Sequence, residues 1–139
     1  MNRFLLSLFF LCSAICAQAT DSVNFTGTWD DTNAKNISFT LFLTQKGKYI
    51  EGYHEAIVLY TRAQHIDSIL PKDGKPSITG KISGSKASVK FQSGYSDATG
   101  TATIQLKGNK LVWTLISTSS PVHYFPKYAV LSRKNEKQK

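Results

Sequence analysis

The strongest constraint on the fold of this chain is an alternation of apolar and polar residues with a period of two, which begins near Val23 and continues toward the C-terminus. Runs of Gly, Asn, Lys and Ser interrupt it roughly every eight to twelve residues. The clearest segment spans residues 36–45, and its apolar residues are Ile37, Phe39, Leu41 and Leu43. Because successive side chains of a strand point to opposite faces of a sheet, each segment is predicted to be a strand with one buried face.

Similar segments continue as far as Ser132, and none has a helical period. Residues 61–76, which contain two prolines and an Asp-Gly pair, are predicted to form the longest irregular connection. About eight strands with short connections and no crossover helix favour an up-and-down barrel over a parallel sheet. The sequence therefore predicts an all-β fold, an antiparallel barrel of about eight strands with no major helix.

Residues 1–19 have the pattern of a secretory signal peptide. Arg3 supplies the positive charge, residues 4–15 are almost entirely apolar, and Ala17-Gln18-Ala19 has the small-x-small pattern of a signal peptidase site. The apolar run is shorter than the roughly 20 residues of a membrane-spanning helix, which argues against an anchor. The isoleucine before Cys16 argues against lipidation of that cysteine.

Cleavage after Ala19 would leave one barrel domain over residues 20–132 and a basic tail over residues 133–139. Both cysteines, Cys12 and Cys16, would leave with the signal, so the mature protein could form no disulfide and no thiolate metal site. An exported chain held together by its core alone is more typical of bacterial than of eukaryotic proteins. We expect a secreted or periplasmic protein that is not an integral membrane protein.

The supply of reactive side chains argues against catalysis. The chain has nine acidic residues and three histidines, and it lacks both a G-x-S-x-G nucleophile motif and a glycine-rich phosphate loop. His65 and Asp67 would share one strand face, and His54 or His123 could complete a metal site with them, but surface histidines give the same pattern. We therefore expect no enzyme activity, no cofactor and no metal ion.

The chain is basic, with 17 Lys and Arg residues against nine Asp and Glu residues and a formal charge of +8. Such a surface suits anionic cell-surface polymers or lipid headgroups, and a solvated surface without a partner has the same composition. Nucleic acid is not an expected partner of an exported protein. The positive charge also disfavours a basic partner unless the interface is locally acidic.

Two groups of residues are candidates for binding. In the first, a barrel interior lined by Tyr53, Phe91, Ser93 and Trp113 would hold a small apolar ligand. The alternative is that these aromatic side chains fill the core of so small a barrel themselves.

The second group lies on two predicted loops, residues 94–98 and 121–128. The candidate partner-binding residues are Tyr95, His123, Tyr124 and Phe125. Prolines at both ends of the Tyr124 segment would stiffen it for recognition. The alternative is a loop that folds back to cap the barrel.

Gly27-Thr28-Trp29 on the first strand resembles the G-x-W motif that opens lipocalins and avidin-like barrels, which together form the calycins. Gly52-Tyr53 and Trp113 resemble the avidin pattern in order and spacing. The resemblance implies that Trp29 closes one end of the barrel and that Arg133 packs over its indole. The chain lacks the terminal helix of lipocalins and the polar biotin-binding set, so biotin binding is not implied.

Ser93-Gly94-Tyr95 is similar to the Ser-Gly-Tyr loop motif of bacterial lysozyme inhibitors, with a different spacing. The sequence therefore predicts a non-catalytic exported binding protein that holds a small apolar ligand or presents loops to a partner at the cell envelope. The alternative function is an inhibitor or immunity protein against a cell-wall-acting enzyme such as a lysozyme. The oligomeric state is not predicted.

Overall fold

The computed structural model describes residues 22–31 and 35–135, so the predicted signal peptide lies outside the described residues. The described chain contains nine strands and one turn of 3-10 helix, Pro71–Asp73. The strands are β1 Gly27–Asp30, β2 Ile37–Lys46, β3 Tyr49–Tyr60, β4 Ala63–Ile69, β5 Ile78–Ser83, β6 Lys86–Gln92, β7 Thr99–Lys107, β8 Lys110–Thr118 and β9 Tyr128–Arg133. No helix within these ranges is long and apolar enough to cross a membrane.

Eight of the strands close into a barrel in the order β1-β2-β3-β5-β6-β7-β8-β9, because β9 pairs with β1 and β2 pairs with β3. Every pairing is antiparallel. Neighbouring strands of the barrel are consecutive along the chain, with only β4 inserted between β3 and β5. This is the up-and-down arrangement. The predicted fold class, an eight-stranded antiparallel barrel without a major helix, is confirmed.

The ninth strand, β4, was not predicted. Residues Tyr49–Gly52 of the long strand β3 pair with β5, whereas His54–Tyr60 pair with β4, so two strands share one edge of β3. The prediction of an irregular connection over residues 61–76 is wrong for its first half. Only one residue of β4 is fully buried, and that residue is Asp67, so the strand lacks the apolar period that identifies the others.

The interior of the barrel is filled with side chains. Inward residues from all eight barrel strands, together with Phe25 and Phe125, form one continuous hydrophobic core. At one end of this core, Phe125 lies 4.2 Å from Phe91 and 5.6 Å from Trp113, measured between ring centroids. Phe39 contacts Trp113 edge-on at 5.2 Å. These rings pack against one another at this end of the barrel.

The opposite end of the barrel is closed around Trp29, which is 1% exposed. Its indole N–H donates to the Phe25 carbonyl oxygen at 2.9 Å, and the Arg133 guanidinium lies 4.4 Å from the indole ring. Arg133 also donates to the carbonyl oxygens of Asn24 and Thr26. Strand β9 includes Arg133 and so ends one residue after its predicted end at Ser132. Residues 136–139 of the predicted tail lie outside the described residues.

Candidate functional site

The irregular connections at one end of the barrel, residues 61–62, 70–77, 93–98 and 119–127, form what we call the loop end. Both loops that the sequence analysis selected for partner binding lie here. Two of these loops, residues 93–98 and 119–127, are also joined directly, because the Ser96 hydroxyl donates to the Val122 carbonyl oxygen. The loop end is therefore the part of the molecule in which to look for a binding site.

Beneath the loop end lies a hydrogen-bonded network of four buried polar side chains, His54, Asp67, Ser77 and Ser93. The Ser77 hydroxyl is 2.7 Å from Nδ1 of His54, and Nε2 of His54 is 3.0 Å from Oδ1 of Asp67. The Ser93 hydroxyl donates to Oδ2 of Asp67 at 2.8 Å. The network joins β3 and β4 to the segment before β5, which contains Ser77, and to the segment after β6, which contains Ser93.

Asp67 is the centre of this network because it also accepts backbone N–H groups from both loops. The amide of Gly94 donates to its carboxylate at 2.7 Å, that of Tyr95 at 3.3 Å and that of Tyr124 at 3.0 Å. Charge-assisted bonds of this kind are stronger than neutral ones. One carboxylate on β4 thus holds the backbones of two separate loops in place.

The hydrogen bonds keep Asp67 ionised. Burial by itself would raise the pKa of this carboxyl, but the bonds from His54, the Tyr124 amide, Ser93 and the Gly94 amide outweigh burial and lower the pKa to about 2. Asp67 therefore carries a buried negative charge at neutral pH.

Ser77, His54 and Asp67 are the residue types of a hydrolase triad, but their surroundings do not suit one. Ser77 is 4% exposed, and His54 and Asp67 are completely buried. Phe125 covers the His54 ring with a centroid distance of 4.3 Å. A substrate carbonyl would have no path to the Ser77 hydroxyl, so the role that fits these bonds is to position the loops.

Above the network, four aromatic side chains form what we call the aromatic patch: Tyr60, His65, Tyr95 and Tyr124. The His65 ring lies 5.4 Å from Tyr60 and 5.2 Å from Tyr124, and Tyr95 lies 4.8 Å from Tyr124. Tyr60 is 59% exposed and Tyr95 is 47% exposed. The patch joins the β3–β4 hairpin to both loops and faces solvent.

Exposed aliphatic side chains occur around the same end of the barrel. Leu59 and Ile66 lie on the outer face of the β3–β4 hairpin, opposite to Tyr60 and His65, Val122 lies on the loop before Tyr124, and all three are exposed. Clusters of exposed apolar residues are a feature of interaction surfaces, whereas isolated ones are ordinary.

The structure brings together two of the four predicted partner-binding residues, Tyr95 and Tyr124. His123 is half-buried, and its Nδ1 atom is buried without a hydrogen-bond partner. Phe125 is 4% exposed and belongs to the core, which corrects its predicted place on an exposed loop. The loop folds back over the barrel as the alternative interpretation had it, because Phe125 fills space between Phe91 and Trp113.

The four predicted ligand-binding residues do not line one cavity. Phe91 and Trp113 pack in the core, and Ser93 belongs to the buried network. Tyr53 lies on the outer face of β3, because its neighbours Gly52 and His54 are buried on the inner face. Its hydroxyl donates to the Gly74 carbonyl oxygen at 2.9 Å. Ligand contact by any of these residues stays a prediction.

A ligand-sized concavity occurs instead on the outer face of the barrel, across β3 and β5 to β8. It has a volume of about 840 Å³ and is lined by small residues such as Gly80, Ser88 and Thr101. Tyr49 and Lys81 also border this groove, and the Lys81 ammonium lies 5.7 Å from the Tyr49 ring centroid.

Within residues 22–31 and 35–135, no group of three or more His, Cys, Asp or Glu side chains is placed to hold a metal ion. Of the residues considered for such a site, His54 and Asp67 bind each other. His65 shares the inner face of β4 with Asp67, but its ring belongs to the aromatic patch.

Tyr60 was not predicted from the sequence as a site residue, and His65 and Asp67 were considered only as possible metal ligands. A signal was present in the segment His65-Ile66-Asp67, where two polar residues occupy alternate positions that a strand would turn to one side. A buried carboxylate in such a position needs hydrogen-bond donors from elsewhere in the fold.

Comparison with known proteins adds one structural likeness. No protein-family model matches the chain, and no curated protein matches it. Among solved structures, the chain is similar to a mutant of the fluorescent protein UnaG, with a TM-score of 0.39 and 18% sequence identity. The likeness covers 82% of this chain and 97% of that one.

Proposed function

We propose that this chain is an exported, non-catalytic binding protein that contacts a partner protein with its loop end. The observation that carries the proposal is the attachment of two loops to Asp67, which holds Tyr95 and Tyr124 beside Tyr60 and His65 at the surface. Loops fixed in this way lose little conformational entropy when they bind.

Two further observations support a partner protein over a ligand inside the barrel. The core around Phe91, Trp113 and Phe125 is already packed. The exposed residues of the loop end include Tyr95 and Val122. Tyr is enriched in protein interfaces and among the residues that dominate binding energy.

Inhibition of a cell-wall-acting enzyme is a second candidate function, and one observation favours it. Tyr95, in the Ser93-Gly94-Tyr95 segment, stands 47% exposed at the loop end, whereas the Ser93 hydroxyl is bound to Asp67. In such an inhibitor, Tyr95 would enter the enzyme's cleft and Ser93 would hold the loop in shape.

The test is capture of partners from a cell-envelope extract, compared between the unchanged protein and Tyr95→Ala, Tyr124→Ala and Tyr128→Ala. Tyr128 is 62% exposed and lies outside the aromatic patch, so it serves as the matched control. We expect the two patch variants to weaken capture about tenfold or more and Tyr128→Ala to leave it unchanged. Equal capture by all variants would refute the proposal.

The inhibitor candidate has its own assay, the rate at which a lysozyme clears a suspension of cell walls. Inhibition that is lost in Tyr95→Ala and kept in Tyr128→Ala would support it. An unchanged clearing rate at a large excess of the protein would exclude it for that enzyme.

Export is part of the proposal and is supported by the pattern of Arg3 and the apolar residues 4–15. N-terminal sequencing of the protein from its own cells should begin at Thr20. A chain that retains Met1 inside the cell would contradict it.

A further inference from the structure

We infer that the aromatic patch binds the cationic side chain of a lysine or arginine on the partner protein. The inference rests on the proposed function, because it specifies the chemistry by which the loop end recognises that partner. It concerns one group, an ammonium or guanidinium, seated against the rings of Tyr60, Tyr95 and Tyr124.

The first support is the supply of electron-rich rings. Three phenol rings and one imidazole lie within 6.3 Å of a neighbour, and the two most exposed, Tyr60 and Tyr95, lie on either side of His65. A cation over the face of such a ring is attracted by its quadrupole, more strongly where water is partly excluded.

The second support is the charge beneath the rings. The carboxylate of Asp67 accepts the backbone amides of Tyr124 and Tyr95 at 3.0 Å and 3.3 Å, so a buried negative charge lies directly below the two residues that carry the rings. Among its hydrogen-bond partners, only His54 has a side chain that can become positively charged.

The environment of Tyr124 agrees with this charge distribution. The pKa of its phenol is raised first by burial, then by the hydrogen bond with Tyr95 and by electrostatic interaction with Tyr95, Tyr60 and Asp67. Of these causes, only the carboxylate of Asp67 also attracts a cation.

The third support is that the described chain does not place its own cations on the patch. Its two cation–π pairs are Lys81 with Tyr49 and Arg133 with Trp29, and both lie elsewhere on the barrel. The exposed charges of the loop end are mixed, with Arg62, Lys72, Lys75 and Lys127 against Asp73 and Asp97, so the attraction for a cation rests on the rings and on Asp67.

The surroundings favour a side chain of a protein over a free ammonium compound. Val122 is exposed on the loop that carries Tyr124 and would remain uncovered by a small ion. A partner surface around a lysine or arginine would bury it together with the aliphatic stem of that residue.

The inference is tested by NMR titration of the full protein with N-acetyl-lysine amide and N-acetyl-arginine amide, which present the side chains without terminal charges. N-acetyl-norleucine amide is the uncharged control of similar length, and tetramethylammonium represents a free quaternary ammonium. We expect the charged amides to shift the signals of Tyr95, Tyr124 and His65 and norleucine amide to shift them little.

Ring variants supply the second arm. Tyr95→Leu and Tyr124→Leu keep the backbone amides that bind Asp67, so the loops should stay in place, and each should weaken lysine-amide binding about threefold to tenfold. Tyr128→Leu, outside the patch, should leave it unchanged. Thermal unfolding of each variant checks that the fold is kept.

Three results would overturn the inference. They are equal shifts by norleucine and lysine amides, tighter binding of tetramethylammonium than of either charged amide, and shifts that are absent from the residues of the patch. Any of these results leaves the proposed function standing if Tyr95→Ala and Tyr124→Ala still abolish partner capture. Failure of those two variants to affect capture would instead remove the proposed function itself.

Discussion

At the scale of single residues, the carboxylate of Asp67 holds two separate loops in place. A carboxylate that is completely buried must satisfy its charge with hydrogen bonds, and here it does so with donors from His54, Ser93 and the two loops. The same bonds that satisfy the charge also position the exposed rings. A structural requirement and the proposed binding surface therefore depend on one side chain.

The lowered pKa of Asp67 predicts acid sensitivity. Because the folded-state pKa of about 2 lies below the ordinary value of 3.8, the ionised carboxylate stabilises the fold above about pH 4, and this stability is lost as the pH falls toward 2. The contribution at neutral pH is about 2 kcal/mol. Urea unfolding at pH 6, 4, 3 and 2 measures it.

The matched variant is Asp67→Asn, which keeps the shape and removes the charge. We expect it to be less stable than the unchanged protein by about 2–3 kcal/mol at pH 6, because its hydrogen bonds no longer go to a charged acceptor, and to lose less further stability between pH 4 and pH 2. If the free energy of unfolding fell equally in both proteins between pH 4 and pH 2, other carboxyl groups would be responsible for the acid sensitivity.

At the scale of elements, the loop of residues 119–127 contributes one side chain to the core and one to the aromatic patch. Phe125 points into the core, where it covers His54 and stacks on Trp113, while Tyr124 points into the aromatic patch. The loop is thus both the lid of the core and part of the binding surface.

Truncation of the inward face should cost stability. Phe125→Ala would leave a cavity between Phe91 and Trp113 and should lower the free energy of unfolding by about 3–5 kcal/mol. Tyr128→Ala, at a side chain that is 62% exposed, should change it by less than about 0.5 kcal/mol. Urea unfolding of both variants makes the comparison, and a loss below about 1 kcal/mol in Phe125→Ala would contradict the role as lid.

The loop of residues 93–98 depends on close approach to β4. A Cβ atom at Gly94 would lie 2.0 Å from the Ser68 carbonyl oxygen, so Gly94→Ala must push the loop away from β4. We expect the Gly94 and Tyr124 amides, which bind Asp67, to exchange with solvent at least tenfold faster in this variant. Gly84→Ala, in an open turn with φ +60°, is the control and should lose only about 1 kcal/mol, with the exchange at Asp67 unchanged.

At the scale of the whole molecule, the barrel is closed differently at its two ends. The loop end is sealed by Phe125 above a polar network, and the opposite end is sealed by Trp29 beneath the Arg133 guanidinium. Arg133 also ties the chain before β1 to the last strand through the carbonyl oxygens of Asn24 and Thr26. The pairing of first and last strands thus has side-chain support.

Removal of this support should weaken the closure. Arg133→Ala loses the contact with the Trp29 ring and two hydrogen bonds, for an expected cost of about 1–3 kcal/mol in unfolding free energy. Arg133→Lys should recover only part of this, because an ammonium cannot stack on the ring and reach both carbonyl oxygens as the planar guanidinium does. Full recovery by lysine would show that charge alone matters.

The sequence by itself determined the fold class and its main elements. Periodicity of two is a local property, and it marks a strand wherever one face is buried against apolar neighbours, as in Ile37–Lys46. The count of such segments and the lack of a helical period were enough to predict an antiparallel barrel of about eight strands. The same signal fails for Ala63–Ile69, where the buried position is Asp67.

Only the tertiary structure decided which side chains meet at the loop end and which fill the barrel. Asp67 binds the amides of Gly94 and Tyr124, which are 27 and 57 residues away, and no local pattern encodes such a partnership. Tyr124 and Phe125 are neighbouring aromatic residues, but Phe125 lies within the core, whereas Tyr124 is half-buried at the edge of the core and contacts the aromatic patch. Space in the folded interior, with Phe91 and Trp113 already in place, determines which of the two rings turns inward.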